Sequence, residues 1–378
     1  MQPCRLMIAD SEHNADMLYV SAIFIPDAWI AISIEDRWHG ILSPLEFNRA
    51  QKMSRLHKVW LDSEWQQRAH ERYGKGSGLA GTAAAFLDAH HIDSVEVPRN
   101  FSHAIACQLQ QYGIAVTPSA GEFLPQRACK RDDEIAELAT AERLTARSMK
   151  QALNFLADCS IGEDGILRHR DFGHKKLRVQ VLRSVIEQWL IGHGAIPSHT
   201  IVACGRQGAD PHNEGSGWLH GNRPIIIDIF PRLTRSGYWG DMTRTVVKGR
   251  ATPQVRAMHK AVADAQKCGL NAIRHGVAAS HIHNTVRNRL KQHGFFTGVR
   301  GGKQVGFFHG TGHGVGLEVH EPPRLSSADN LLQSGEVVTV EPGLYYPAIG
   351  GVRIEDMVVV TVDGCRNLTN FHRRLEIP

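Results

Sequence analysis

The stretch from residue 307 to 323 combines histidines with glycines in a pattern that could do chemistry. Three histidines lie among four glycines spaced at every second residue: His309, His313, His320, Gly310, Gly312, Gly314 and Gly316. A segment so rich in glycine forms a poor helix, and its backbone can approach a ligand closely. His309 and His313 are four residues apart, a spacing at which a helix could direct both imidazoles at one metal ion. The glycines favour a loop or an irregular strand, so the pattern predicts a histidine-bearing active-site loop.

A nucleotide site is the first alternative for this glycine-rich stretch. Its Gly-x-Gly pairs imitate part of a dinucleotide-binding fingerprint. That fingerprint needs a strand, a tight turn and a helix in succession, and here no such unit surrounds the glycines and two prolines follow them. We therefore discard the nucleotide interpretation.

Four carboxylates lie at positions where strands are expected. Asp228 follows three isoleucines, Glu341 follows the apolar run 337–340, Glu355 lies within the apolar run 352–359, and Asp241 precedes a strand. A single buried acid is usually explained by a salt bridge or a capping bond. Four acids in one cavity would repel one another unless cations neutralised them, and oxygen ligands with one imidazole suit Mn²⁺, Co²⁺ or Zn²⁺. Such a set suffices for two metal ions, which can bridge and deprotonate a water that attacks an acyl carbon.

The composition limits the class of protein. The 378 residues exceed one ordinary core, so two domains are expected. The net charge of +5 is spread along the chain, which argues against nucleic-acid binding. The seven cysteines are far apart without a Cys-x-x-Cys pair, so they predict a reducing cytoplasm and no disulfide framework. The first 30 residues lack the pattern of a secretory signal and no apolar run is long enough for a membrane span, so we expect a soluble, unexported protein without membrane contact.

The elements that must position these residues belong to two predicted domains of a mixed α/β (α+β) fold. Residues 1–128 predict a small α/β domain. Its predicted elements are two strands over 19–34 broken at Pro26, a helix from Pro44 with a Ser43–Glu46 capping box, helices over 80–90 and 101–112, and strands over 94–97 and 114–116. No chemical constellation is evident in this domain.

Residues 129–378 predict the domain that holds the site. An amphipathic helix begins at the acidic residues 131–134. The following elements are predicted as helices over 175–192, 252–273 and 280–293, and strands over 200–203, 225–229, 238–247, 336–340 and 352–362. Two helices and then paired strands therefore occur twice, which indicates two similar halves.

Five ordered motifs carry a resemblance to a known family: Ile-Asp228, Gly-Asp241-Met-Thr-Arg-Thr, Gly-His313-Gly-Val-Gly-Leu-Glu-Val-His320-Glu, Glu341-Pro-Gly-Leu-Tyr and Val-Arg-Ile-Glu355-Asp. Over residues 131–378 the chain resembles the pita-bread metallopeptidases, namely methionine aminopeptidase, aminopeptidase P and prolidase, together with the metal-free creatinase. The resemblance implies a pita-bread catalytic domain with pseudo-twofold halves. It also implies a smaller creatinase-like amino-terminal domain, which is a candidate lid and would pair subunits in a homodimer.

The resemblance implies two divalent metal ions, with Mn²⁺ preferred over Co²⁺ or Zn²⁺. The five implied ligands are Asp228, Asp241, His313, Glu341 and Glu355. Asp241 and Glu355 would bridge the ions, Asp228 would complete one ion, and His313 with Glu341 would complete the other. Asp228 and Asp241 are thirteen residues apart, two more than is usual in the family. The longer turn between them carries Arg232 and Arg235, which could alter the rim of the site.

The resemblance also implies residues for the substrate. His220, His309 and His320 would hold it and donate hydrogen bonds to the developing oxyanion. Glu341 would take a proton from the bridging water, and Arg353, two residues before Glu355 on the same strand face, would contact the substrate or its carboxylate. Tyr345 and Tyr238 would bind substrate. The alternatives are that Arg353 only pairs with a ligand carboxylate, that Tyr345 only packs, and that His220 caps a loop.

The expected activity is hydrolysis of Xaa-Pro bonds by a metal-bridging hydroxide that attacks the scissile carbonyl. An Xaa-Pro dipeptidase (prolidase) is the first choice, and aminopeptidase P, which acts on longer peptides, is the alternative. Methionine aminopeptidase is disfavoured because it usually lacks a large amino-terminal domain, and creatinase because all five ligands are present. A binding protein that has lost its chemistry is a further alternative, although such proteins typically lose ligands.

Overall fold

The computed structural model describes residues 3–378. The chain divides into two compact units, the first ending at Arg127 and the second running from Ala128 to Pro378. No helix within the described residues combines the length and the apolar character needed to cross a membrane.

The first unit is a six-stranded mixed sheet with helices. Its helices are α1 (Ala15–Ser21), α2 (Pro44–Met53), α3 (Asp62–Tyr73), α4 (Gly78–Ala89) and α5 (His103–Gln111). Its strands are β1 (Arg5–Ala9), β2 (Trp29–Ile34), β3 (Arg37–Leu42), β4 (Lys58–Leu61), β5 (Ser94–Val97) and β6 (Ala115–Pro118). The sheet order is β4-β3-β2-β1-β5-β6, and the antiparallel pairs are β3–β2 and β2–β1.

Two predictions for the first unit were wrong in detail. The expected strand before Pro26 is helix α1 and the loop after it, because the Asn14 side chain accepts a hydrogen bond from the Met17 amide and caps the helix. Helix α2 begins at Pro44 as predicted, but the Ser43 side chain makes no capping bond. Glu46 instead accepts a hydrogen bond of 2.8 Å from Arg49 Nε, so the capping box is not formed.

The second unit has four long helices and many short strands. The helices are α6 (Asp132–Ala157), α7 (Val179–Gly192), α8 (Pro253–Ala272) and α9 (Ala279–Gln292). The strands are β7 (Cys159–Ile161), β8 (Leu167–His169), β9 (Ala195–Ile196), β10 (Ile201–Cys204), β11 (Ile225–Ile229), β12 (Arg232–Leu233), β13 (Met242–Lys248), β14 (Gly298–Arg300), β15 (Lys303–Val305), β16 (Gly312–Gly314), β17 (Glu321–Leu325), β18 (Val337–Val340), β19 (Gly343–Tyr346), β20 (Gly350–Arg353), β21 (Asp356–Val360), β22 (Cys365–Asn367) and β23 (Glu376–Ile377).

The second unit repeats one arrangement, as the order of elements predicted. In the first half, α6 packs against α7, and the sheet has the order β10-β11-β13-β23. In the second half, α8 packs against α9, and the sheet has the order β17-β16-β18-β21-β22. Aliphatic side chains of α6 and α7 share one core with the apolar residues of β10, β11 and β13. Those of α8 and α9 pack on the strands of the second half.

The long strand predicted over residues 352–362 is broken at the site. It forms β20, which pairs with β19, and β21, which pairs with β18. Between them the Glu355 amide donates a hydrogen bond of 3.1 Å to the Thr243 carbonyl of β13. The break therefore takes Glu355 out of its own sheet and joins it to the first half.

Candidate metal centre and substrate cavity

One cavity of about 670 Å³ in the second unit contains most of the predicted site residues. Those that line it are Asp228, Asp241, His309, His313, His320, Glu341, Arg353 and Glu355. Three others, His220, Tyr238 and Tyr345, are not among its lining residues. The cavity also has an apolar wall, which includes Ile201, Phe230, Phe308 and Val319.

Ligand atoms of three predicted metal ligands converge at the base of the cavity. Asp241, His313 and Glu355 are all buried, and each has one ligand atom within 4.8 Å of the other two. His313 Nε2 lies 3.7 Å from Asp241 Oδ2 and 3.6 Å from Glu341 Oε1. Asp228 Oδ1 is buried and has no hydrogen-bond partner within residues 3–378, as expected of an oxygen reserved for a cation.

Strand register explains why the five ligands meet. Asp228 lies in β11 opposite Thr243 of β13. Asp241 directly precedes β13, two residues before Thr243, so the two acids lie near each other. Glu341 directly follows β18, and Glu355 directly precedes its partner strand β21. Both carboxylates therefore leave the sheet of the second half at the same end.

Two hydrogen bonds from outside the cluster orient Asp241 and Glu355. The Asp241 amide donates a hydrogen bond of 3.0 Å to Glu142 Oε2 of α6. Thr243 Oγ1 donates one of 2.8 Å to Glu355 Oε2. Each contact fixes a ligand while leaving other carboxylate oxygens available, which is how outer residues usually orient metal ligands.

Burial and mutual repulsion make these acids costly to ionise. Burial, followed by the charges of Glu355 and Asp228, raises the pKa of Asp241 well above its usual range. Burial, followed by Glu341 and Asp228, does the same to the pKa of Glu355. Burial raises the pKa of Glu341 to about 7. Bound cations would relieve this cost, so the residues present fit divalent metal ions.

The histidine of the cluster is suited to ligation as a neutral ring. Burial, followed by the neighbouring His320 ring 4.3 Å away, lowers the pKa of His313 to about 3. Its Nδ1 lies 3.2 Å from the Gly314 carbonyl, so Nδ1 carries the proton, and the lone pair of Nε2 is left for a cation between the ring and the carboxylates of Asp241 and Glu341. A neutral imidazole with one nitrogen fixed in this way is the usual form of a metal-bound histidine.

Arg353 donates four hydrogen bonds within the protein. Its guanidinium donates to Asp228 Oδ2 at 2.6 Å, Thr243 Oγ1 at 3.1 Å, Tyr345 Oη at 3.0 Å and the Pro211 carbonyl at 3.2 Å. A guanidinium has five N–H donors, and most are used here. This geometry matches the alternative in which Arg353 pairs with a ligand carboxylate. It also connects the metal cluster to the loop that contains Pro211.

Tyr345 and His309 continue this hydrogen-bonded chain. The Tyr345 ring is fully buried, and its hydroxyl lies 3.0 Å from His309 Nε2. His309 Nδ1 lies 2.7 Å from the Gly310 carbonyl, so Nδ1 donates there and Nε2 accepts the tyrosine proton. Burial lowers the pKa of His309 to about 3, consistent with this neutral form. Both ring nitrogens of His309 are therefore occupied within the protein, and Tyr345 lies behind the cavity-lining residues His309 and Arg353.

Two predicted substrate residues lie elsewhere. The His220 backbone pairs with Ile166, and its amide lies 3.4 Å from Cys204 Sγ, which corresponds to the loop-anchoring alternative. The Tyr238 ring is buried, and its hydroxyl donates a hydrogen bond of 2.7 Å to Glu134 Oε1 of α6. Neither residue reaches the cavity.

A histidine that the sequence interpretation missed does line the cavity. His212 belongs to the polar loop 210–217 and is exposed to solvent. Within the described residues, neither the His212 ring nor the His320 ring has a hydrogen-bond partner. The signal available in the sequence was the polar loop Asp-Pro-His-Asn shortly after a buried strand, since such loops often carry functional residues. A histidine further along the same segment was chosen instead.

Arg324 is a second cavity residue that the sequence interpretation missed. It lies in β17 directly opposite His313 of β16, and its side chain is exposed. In the part of the chain that the structure describes, no carboxylate lies within salt-bridge distance of it. It is therefore a cation available to an anionic group of a ligand.

The long turn between Asp228 and Asp241 is directed away from the cavity. Its strand β12 pairs with β9, and the Thr234 amide donates a hydrogen bond of 3.0 Å to the Gly194 carbonyl. Neither Arg232 nor Arg235 lines the cavity. The two additional residues extend a hairpin on the first half and leave the metal ligands in place.

Comparisons with known proteins agree with this geometry. The sequence model of metallopeptidase family M24 matches residues 136–362. An Xaa-Pro dipeptidase of Pyrococcus furiosus is 38% identical over 178 residues, which are 47% of this chain and 48% of that protein. The chain thus spans about half the length of this curated relative.

Two solved structures share the fold over the whole chain. An Xaa-Pro dipeptidase from Bacillus anthracis has a TM-score of 0.82 at 23% identity, with 100% of this chain and 95% of that chain covered. An X-Pro aminopeptidase from Thermotoga maritima also has a TM-score of 0.82, at 22% identity, with 100% and 97% covered. These likenesses establish the pita-bread fold.

The raised pKa values predict a pH-dependent metal affinity. Because the pKa of Glu341 is about 7 in the metal-free protein, binding below that pH must displace its proton. We expect the apparent affinity for Mn²⁺ to fall by about tenfold per pH unit for each proton displaced. Calorimetry between pH 5.5 and 8, in buffers of different ionisation enthalpy, measures both quantities.

The raised pKa of Glu341 makes the stability of the metal-free protein change with pH in the opposite direction to the metal affinity. The folded pKa of Glu341 lies above its ordinary value of 4.5, so the folded state binds more protons than the unfolded state. The stability of the metal-free protein should therefore fall as the pH rises from about 4.5 to about 7. Urea unfolding of the metal-free protein at several pH values measures this, and a stability that is flat from pH 4.5 to 7 would contradict the argument.

Proposed function

The chain belongs to metallopeptidase family M24, and we propose that it hydrolyses Xaa-Pro bonds, with Xaa-Pro dipeptides as its substrates. The observation that carries the proposal is the cluster of Asp241, His313 and Glu355, which opens into a cavity with an apolar wall and one unpaired cation. An apolar wall suits a proline ring. A cation close to the metal centre suits the carboxylate of a short substrate.

The metal ligands that we propose are Asp228, Asp241, His313, Glu341 and Glu355, and the ions that we propose are two Mn²⁺. Oxygen-rich sites with one imidazole suit Mn²⁺, with Co²⁺ and Zn²⁺ as the other candidates. When bound, the ions would supply Lewis-acid activation of a water and of the scissile carbonyl.

Glu341 is the residue that we assign to proton transfer. It lies at the edge of the cluster, with its side chain 19% exposed, while Asp241 and Glu355 are more deeply buried. A carboxylate that lines the cavity at this edge can accept a proton from a group bound there and return it. It would take the proton of the attacking water and pass it to the proline nitrogen as the bond breaks.

His320 and His212 are the residues that we assign to the substrate carbonyl and the oxyanion. Both line the cavity with ring nitrogens that are not used within the described protein. His212 replaces His220 in this role. Arg353 and His309, whose donors are committed, would hold the site in shape, with Arg353 fixing the His212 loop through the Pro211 carbonyl.

Arg324 is the residue that favours dipeptides. A dipeptide ends in a carboxylate directly after proline, and an exposed guanidinium in the same cavity can bind it through two parallel hydrogen bonds. The name of the Pyrococcus furiosus relative, an Xaa-Pro dipeptidase, supports the same choice. Cleavage of longer peptides is the second candidate, because the Thermotoga maritima X-Pro aminopeptidase matches the fold equally well.

The remaining assignments extend the proposal beyond the site. We assign residues 129–378 to catalysis and residues 1–128 to a lid and to pairing of subunits in a homodimer. We also place the protein in the cytoplasm. All seven cysteines are free, as suits a reducing compartment.

The first test of the proposal is turnover with and without metal. Release of proline from Ala-Pro should require Mn²⁺, and removal of the metal by a chelator or by Asp241→Ala should reduce it by at least about 100-fold. Metal content measured on the same samples should fall with the activity. A fully metal-loaded protein that cleaves neither Ala-Pro nor Ala-Pro-Ala would refute the peptidase assignment.

Arg324→Ala tests the choice of dipeptides. Loss of a charge-assisted bond to the substrate carboxylate should lower kcat/KM for Ala-Pro by about 10- to 100-fold. The value for Ala-Pro-Ala, whose carboxylate lies one residue further, should change little. Arg366→Ala, in exposed strand β22 outside the cavity, is the matched control. Equal losses on both substrates would favour the aminopeptidase alternative.

A pair of histidine variants tests the replacement of His220 by His212. His212→Ala should lower kcat for Ala-Pro by about 100-fold, the usual effect of losing one oxyanion donor. His220→Ala should stay within about twofold of the parent, since its ring does not reach the cavity. Metal content should be unchanged in both. The reverse order of effects would restore His220 to the site.

A further inference from the structure

His320 lies at the end of a loop that connects two strands of the second half. This loop, residues 315–320, joins β16, which carries His313, to β17. It turns tightly, with the Gly316 amide donating a hydrogen bond of 3.0 Å to the Glu318 carbonyl. A six-residue loop with an exposed histidine would ordinarily sample several conformations.

Trp239 holds this loop with two hydrogen bonds. Its amide donates to the Gly316 carbonyl at 3.0 Å, and its indole Nε1–H donates to the Leu317 carbonyl at 3.0 Å. The loop belongs to the second half of the unit and Trp239 to the first. These two bonds therefore join the halves beside the metal centre.

Trp239 is itself fixed in place. It lies two residues before Asp241, and its backbone forms a bridge with Arg232 across the hairpin. The next residue, Gly240, packs so closely on α6 that an added Cβ would lie 2.3 Å from Thr145 Oγ1. The indole is therefore held by the same hairpin that carries a metal ligand.

The other end of the loop is anchored independently. Glu321 directly follows His320, and its buried carboxylate pairs with the buried Lys130 ammonium. The same carboxylate lies against Gly316, where an added Cβ would lie 2.2 Å from Glu321 Oε1. Lys130 is tied in turn by a hydrogen bond of 2.9 Å from its amide to the Gly335 carbonyl. His320 is thus an exposed side chain between two fixed points of the backbone.

We propose that Trp239 is a positioning residue that sets where His320 meets the substrate. The inference rests on the proposed function, since it takes His320 as the residue that contacts the substrate carbonyl. Preorganised donors stabilise a developing oxyanion without reorganisation, and a displacement of about 1 Å can cost about 100-fold in rate. Loss of the indole N–H would free the Leu317 carbonyl and loosen the loop on one side.

A double-mutant cycle tests the inference. In the parent, Trp239→Phe should lower kcat for Ala-Pro by about tenfold, with KM changed by less than about threefold and metal content unchanged. In the His320→Ala background, the same substitution should change kcat by less than about twofold, because the residue that it positions is already gone. A Trp239 that only stabilised the fold would act equally in both backgrounds.

The controls separate the possible failures. Trp189→Phe, in an indole of α7 that stacks on His193 outside the cavity, should leave kcat unchanged. If Trp239→Phe loses metal or unfolds, replacement of Trp239 by benzothienylalanine removes only the N–H and takes its place in the cycle. An active parent with full activity in this variant, or with equal losses in both backgrounds, overturns the inference alone. An inactive metal-loaded parent overturns the proposed function and the inference with it.

Discussion

The second unit is organised around the repulsion among carboxylates that share one buried cavity. Burying several acids together costs free energy that hydrophobic packing around them cannot return. The protein alone offsets part of this cost, through the guanidinium of Arg353 on Asp228 and through the hydrogen bond from Thr243 to Glu355. The rest is left uncompensated, as the raised pKa values of Asp241, Glu341 and Glu355 indicate. Bound divalent cations would offset the repulsion that remains.

The repeated halves provide a way to assemble such a cluster. Asp228 and Asp241 come from adjacent strands of the first half, whereas His313 and Glu341 come from the second. Glu355 belongs to the second half but is held by the backbone of the first. Neither half contains enough ligands for two ions, so packing of the halves and formation of the metal centre depend on each other.

All five predicted metal ligands line one cavity, whereas three of the predicted substrate residues do not, and the difference has a physical reason. A carboxylate such as Asp228 after three isoleucines is conspicuous, because the local pattern itself shows that a charge will be buried. His212 and His220 lie in one polar segment with similar local patterns. Only the path of the loop, which Arg353 fixes through the Pro211 carbonyl, decides which ring reaches the cavity. The hydrogen bond from Tyr238 to Glu134 is likewise invisible in the local sequence, since the two residues are more than a hundred positions apart.

Arg353 links the cost of the metal centre to the recognition of substrate. Because four of its five N–H donors are used on Asp228, Thr243, Tyr345 and the Pro211 carbonyl, it cannot bind a substrate carboxylate through two parallel hydrogen bonds without breaking a buried bond. A buried cation that neutralises a metal ligand is thus unavailable as a substrate clamp. The positive charge that binds the carboxylate of a short peptide must come from a residue that is not paired with a metal ligand. Arg324, exposed and unpaired in the described chain, meets that requirement.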